Sequence, residues 1–200
     1  MNSRNDGEQG VTRCDWVTSH PLYQQYHDEQ WGRPVLDDQE LFAKLCLDGQ
    51  QAGLSWFTIL QKQKNYESAF FNFEPEKIIQ LTDADVEERM QDKGIVRNRL
   101  KINSIIRNAN AFLGITQHQP FSEFIWQFTD GVTVTNAWSN LKQSPTSTVQ
   151  SDAMSKALKK AGFNFVGTTI CYAFMQAVGM VNDHTVDCHC YEEVKALAIK

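Results

Sequence analysis

Apolar residues recur at three- and four-residue intervals along most of this chain, which predicts helices rather than strands. Leu41, Phe42, Leu45 and Cys46 keep that spacing behind the capping residues Asp37 and Asp38, and predict a helix over about 39–47. Helices follow at about 56–71 and 75–81, and Thr82 caps a segment over 86–91 that Gly94 ends. Leu100, Ile102, Ile105, Ile106, Ala109 and Phe112 lie on or near one side of a helix over 97–112. Phe121, Phe124, Ile125 and Phe128 predict another over 121–128. Ser151 or Asp152 is placed to cap a helix over 153–160, and an apolar helix follows over 168–178. Near the start, Pro21 opens a short helix carrying Leu22, Tyr23, Tyr26 and His27, which Gly32 and Pro34 break. Residues 129–150 are turn-rich, and only VTVT at 132–135 is weakly strand-like. The expectation is an all-α fold: one compact unit over 11–192 behind a loose polar tail, MNSRNDGEQG, at 1–10.

The stretch over 158–188 carries the most chemistry. Gly162 and Gly167 bound a tight turn between two helices, and the second starts at Thr168. The free N–H groups and positive dipole end of that helix suit an anion. Lys159 and Lys160 stand just before the turn, so the whole reads as a grip on a phosphate backbone, indifferent to base sequence. A plain corner between helices gives the same pattern.

Net charge is −5 over 200 residues, which argues against wholesale nucleic-acid binding. Local basic segments change that picture: Arg89, Lys93, Arg97, Arg99, Lys101 and Arg107 form one, and Lys156, Lys159 and Lys160 another. No window approaches the roughly 18 consecutive apolar residues of a membrane span. The five cysteines, an odd number with no export signal ahead of them, point to a reducing cytoplasm and to metal ligation rather than disulfides. Cys14 and His27 near the start, with His184 and Cys188 near the end, make a Cys2His2 set. The last two are four apart, which on a helix puts both on one face. His189 and Cys190 compete for the same role. Four protein ligands leave no open position, so the ion is read as structural zinc, one per chain.

Several contiguous motifs carry a family likeness: RCDWV at 13–17, PLYQQYHDEQWG at 21–32, LFAKLCLDGQQAGLSW at 41–56, GIVRNRLKI at 94–102, PTST at 145–148 and the long run over 151–184. Together they resemble bacterial 3-methyladenine DNA glycosylase I, the constitutive, zinc-binding member of the helix-hairpin-helix glycosylase superfamily. The resemblance implies a helix-hairpin-helix region over about 35–170, with terminal segments 11–34 and 171–192 clipped by zinc. It places the metal ligands on Cys14, His27, His184 and Cys188. It places the base pocket on Trp16, Tyr26, Asp48 and Trp56, and the DNA grip on Lys159, Lys160, Gly162, Gly167 and Thr168. Leu54 becomes the apolar wedge that fills the gap left in the duplex. Without the resemblance, Trp16, Tyr26 and Trp56 read as core aromatics; Tyr23 and Trp31 are assigned to packing in either case.

The same resemblance implies a monomeric base-excision repair enzyme acting on alkylated double-stranded DNA. Such an enzyme flips out N3-methyladenine, hydrolyses the N-glycosidic bond, releases the free base and leaves an abasic site. Tyr26 and Trp56 would stack on the cationic base, and Asp48 would recognise its edge and contribute to catalysis. The family commonly has Glu where this chain has Asp48, so the carboxylate is drawn back by one methylene. No lysine stands in the superfamily's Schiff-base position, which implies a monofunctional enzyme. Asp183 lies where many of the superfamily carry a catalytic Asp, but is read as packing beside His184 or capping a helix.

Overall fold

The computed structural model describes residues 11–200, so the tail expected at 1–10 lies outside the described residues. The α-helices are α1 (Pro21–Glu29), α2 (Asp38–Gln50), α3 (Trp56–Ala69), α4 (Pro75–Ile78), α5 (Asp83–Gln91), α6 (Arg99–Thr116), α7 (Phe121–Trp126), α8 (Val149–Ala161), α9 (Thr168–Ala177) and α10 (Tyr191–Ala196). Two two-residue strands, β1 (Val134–Thr135) and β2 (Val181–Asn182), pair in parallel, with Val134 opposite Val181. The all-helical expectation therefore holds, and β1 falls within VTVT. No described helix is long and apolar enough to cross a membrane.

Local chemistry sets the helix starts. Asp37 accepts a bond from the Glu40 amide, Ser55 from Thr58, and Asn98 from Lys101. Each satisfies a donor that the first helical turn leaves without a partner. Thr82 and Asp85 cap α5 reciprocally. The cap expected at Ser151 or Asp152 is corrected: α8 begins at Val149 and Thr148 caps it, with the Ser151 hydroxyl accepting a bond from the Thr148 amide at 2.8 Å. Ser151 fills the third helical position of a capping box, where a short hydroxyl serves as Glu or Gln usually does. Helix α10 and strand β2 are additions to the elements that the sequence predicts.

The main core joins α2, α3, α6 and α9 through fully buried Phe42, Tyr66, Phe70, Ile102, Ile105 and Phe174. Each such side chain contributes about 1.5–3 kcal/mol by leaving water. A smaller cluster of Cys14, Tyr26, Trp31, Leu60, Cys188 and Val194 ties the two ends of the described chain together. Trp56 packs against both clusters and so marks the seam between them.

The first basic segment is not the footprint its charge suggested. Lys101 is buried, and its Nζ donates to the carbonyls of Gln50 and Ala52 at 2.7 Å each, capping the end of α2. Arg89 caps α3 through the Ala69 carbonyl, and Arg99 pairs with Glu87. The free carbonyls at a helix C-terminus carry partial negative charge and attract cations, and with the Arg99 ion pair three of the six charges are used in these contacts.

Candidate functional site

Helices α1, α2, α3 and α9 converge on a cavity of about 350 Å³. Trp16 reaches it from the N-terminal segment, Tyr26 from α1, Asp48 from the last turn of α2, and Trp56 from the first position of α3. The structure thus brings together all four residues expected to form the pocket. It also adds Tyr23 and Trp31, which line the cavity rather than only packing beneath it. Gln51, Ser144, Thr169, Tyr172 and Gln176 complete much of the wall and are not among the residues that the sequence singles out. Thr169, Tyr172 and Gln176 share the face of α9 that their three- and four-residue spacing defines, a signal present in the sequence but easily read as core.

Asp48 is the cavity's distinctive polar group. It is buried, and its Oδ2 has no hydrogen-bond partner among the described residues. Burial pushes its carboxyl up to about 8, against the pull of Lys44 one turn earlier on α2. Burial therefore favours the neutral acid at neutral pH. The Trp56 Nε1 is likewise buried without a partner. An orphaned acceptor and an orphaned donor in one cavity wall are costly unless a ligand satisfies them. Tyr26 and Trp56 touch each other, with ring centroids 5.3 Å apart at 47°.

Cys14, His27, His184 and Cys188 are all buried, with their ligand atoms within 4.8 Å of one another. Cys188 Sγ lies 3.5 Å from His27 Nε2 and 3.4 Å from His184 Nδ1, and Cys14 Sγ is 3.6 Å from His184 Nδ1. A tetrahedral ion with sulfur at about 2.3 Å and nitrogen at about 2.0–2.1 Å has sulfur–nitrogen edges of roughly 3.5 Å. The outer nitrogens are also fixed: His27 Nδ1 meets Asp28 Oδ1 at 2.7 Å, and His184 Nε2 meets the Trp31 carbonyl at 3.2 Å. This is the second layer that metal-binding histidines require. The four residues could hold a metal. One detail differs from expectation: His184 and Cys188 lie in a looped turn closed by the Cys188 amide on the Thr185 carbonyl, not on a helix. The competing residues His189 and Cys190 sit beside Asp28 in an adjoining group that shares His27.

The Asp183 carboxylate makes no hydrogen bond to the four Cys/His residues and caps no helix among the described residues. It receives hydrogen bonds from Asn136, Trp138, Ser144, Tyr172 and Gln176 instead.

Helices α8 and α9 are joined by the glycine-bounded turn. Gly162 takes a left-handed φ of 104° and ends α8. Gly167 does not: its φ is −63°, and a Cβ there would meet nothing within 4 Å. Phe165 takes the second left-handed position. Lys159 and Lys160 are exposed, and Thr168 bonds Ser151 at 2.8 Å. The next residue, Thr169, lines the cavity, so turn and cavity share the first turn of α9. Leu54, 41% exposed, projects from the turn between α2 and α3 that Lys101 pins.

A family model for methyladenine glycosylases matches residues 16–191. The chain belongs to the methyladenine glycosylase family. It is 53% identical to Escherichia coli DNA-3-methyladenine glycosylase 1 over 182 residues, covering 90% of this chain and 97% of that protein. It superposes on a crystal structure of a 3-methyladenine DNA glycosylase I with a TM-score of 0.89, at 51% identity, covering 90% of this chain and 100% of the other. A Staphylococcus aureus 3-methyladenine DNA glycosylase I, solved to show how it recognises 3-methyladenine, superposes with a TM-score of 0.87 at 37% identity, covering 90% and 96%. The family model's match takes in the residues that line the cavity and three of the four Cys/His residues, with Cys14 just ahead of it.

Proposed function

We propose that this enzyme releases 3-methyladenine from alkylated double-stranded DNA, acting as a monofunctional glycosylase. The observation that carries this reading is the buried, unpartnered carboxyl of Asp48 in an aromatic cavity of a methyladenine glycosylase family member. The target base is inaccessible in a stacked duplex, so the nucleotide turns out into the cavity. Leu54 fills the space it leaves. Lys159, Lys160 and the amides after Gly167 hold the backbone, and Gly167 fits a close phosphate because neither its φ nor its neighbours demand glycine.

Alkylation at N3 makes the base cationic. Aromatic faces favour a cation by about 0.5–2 kcal/mol per contact, and Asp48 accepts a hydrogen bond from the edge of the base. The rings of Tyr26 and Trp56 leave no slot between them. A base held on both faces needs about 7–8 Å between ring planes, so Trp56, at the start of its helix, swings away as the base enters. Water then bonds to the sugar C1′ while the bond to the base breaks. The departing electron pair neutralises the base, the water proton passes to solvent, and an abasic site remains. The charged base leaves readily, and binding the distorted nucleotide supplies most of the rate.

Cys14, His27, His184 and Cys188 would hold one structural zinc, which supplies no chemistry at the cavity and joins the terminal segments. The enzyme works as a monomer in the cytoplasm. Calorimetric titration with free 3-methyladenine tests the pocket: the wild type binds and Trp56→Ala binds more weakly. Equal affinity removes Trp56 from the pocket.

A further inference from the structure

We propose that Asp183 is a positioning residue for the base cavity, its carboxylate gathering five side-chain donors to fix the loop over 136–146 as one wall of that cavity. The loop joins β1 to α8 and supplies Leu141, Ser144, Pro145 and Thr146 to the lining. No residue from 136 to 148 is buried, so apolar packing does not hold it in place. Its backbone is tied at Asn136 to the Asn182 carbonyl and at Trp138 to the Val186 amide, both at the end remote from the lining residues.

Asp183 supplies what the backbone does not. Its Oδ1 accepts from Asn136 Nδ2 and Trp138 Nε1, each at 2.7 Å. Its Oδ2 accepts from Ser144 Oγ at 2.9 Å, and from Tyr172 Oη and Gln176 Nε2 at 2.7 Å each. Asn136, Trp138 and Ser144 belong to the loop; Tyr172 and Gln176 belong to α9 and line the cavity. One fully buried carboxylate therefore sets the separation of two walls. A carboxylate offers about four acceptor sites and no donor, which suits a cluster of donors that no amide matches. Asp183 does not itself line the cavity, so it acts through these partners.

The inference rests on the cavity being the base site, and the test separates the two. Asn136 and Trp138 touch Asp183 but do not line the cavity. The double variant Asn136→Ala/Trp138→Phe is compared with wild type and Asp183→Asn by calorimetry with 3-methyladenine, alongside metal content and hydrogen exchange over 136–146. Displaced walls are expected to weaken base binding about tenfold or more in both variants, with faster exchange in the loop and unchanged metal content. Should Asp183→Asn fail to fold, the double variant decides alone. A double variant that binds the base as tightly as wild type overturns the positioning role. A wild type that does not bind the base overturns the pocket itself.

Discussion

The rings of Tyr26 and Trp56 close on each other at 5.3 Å, across the space that a flipped base would occupy. Tyr26 is buried in the terminal cluster, whereas Trp56 is half-exposed and opens α3. Base binding is therefore expected to move the indole and not the phenol. Addition of 3-methyladenine should change tryptophan emission, and Trp56→Ala should abolish that component and weaken base binding by about 1–3 kcal/mol. Emission unchanged at saturating base would mean that the ring stays where it is.

Asp48 is expected to give excision a pH dependence. Its carboxyl sits at about 8 because burial opposes the charge. The charged form that attracts a cationic base grows as pH rises, so kcat/KM should climb through an apparent pKa near that value. Lys44 opposes the shift, and Tyr23, Tyr26 and Tyr172 are the other titratable groups in the wall. Asp48→Asn should lose this limb and reduce excision. Folding stability carries the same group with the opposite sign. A raised carboxyl contributes most below its unfolded value of 3.8, and the contribution is lost as pH rises towards about 8. Denaturant midpoints across that window should fall more steeply for wild type than for Asp48→Asn.

The Cys/His group should be needed for stability rather than for the chemical step. Cys188→Ser is expected to lose bound zinc and to lower Tm by about 5–10 °C, since its ligands join segments far apart in the chain. Cys190→Ser should keep its metal. Full metal occupancy in Cys188→Ser with loss in Cys190→Ser would transfer the role to the adjoining group that shares His27.

The turn between α8 and α9 should act on DNA and not on the free base. Lys159→Glu/Lys160→Glu should weaken duplex binding and flatten its salt dependence by about one to two units of slope. Gly167→Ala should fold normally, because its backbone is ordinary and the space beside it is open, yet lose DNA affinity. Unchanged duplex affinity in both variants would remove the turn from the interface.

Much of this architecture is legible in the sequence, because helix spacing and capping residues are local signals. Asp37 marks the start of α2 within a residue, and Thr82 caps α5 as expected, although that helix begins at Asp83, three residues ahead of the apolar position that announced it. Thr148 is harder to recognise, because Ser151, its reciprocal partner, carries the same cap signature. The four pocket residues are legible only through the family likeness, since spacing alone does not separate a cavity aromatic from a core one, whereas the Cys/His set is readable from residue type, with His189 and Cys190 as rivals that the likeness sets aside. The destinations of Lys101 and Asp183 depend on partners about 40 to 50 positions away, at Gln50, Asn136 and Trp138, and no local pattern announces them. The polar 136–146 loop reads as connection only, yet it walls the cavity.

The most direct measurement is chromatography of the bases set free from methylated duplex DNA by the metal-replete protein. Free 3-methyladenine should appear, leaving abasic sites without strand cleavage, and its yield should fall sharply with Asp48→Asn. A folded, metal-bound protein that binds this DNA and liberates no purine would contradict the account.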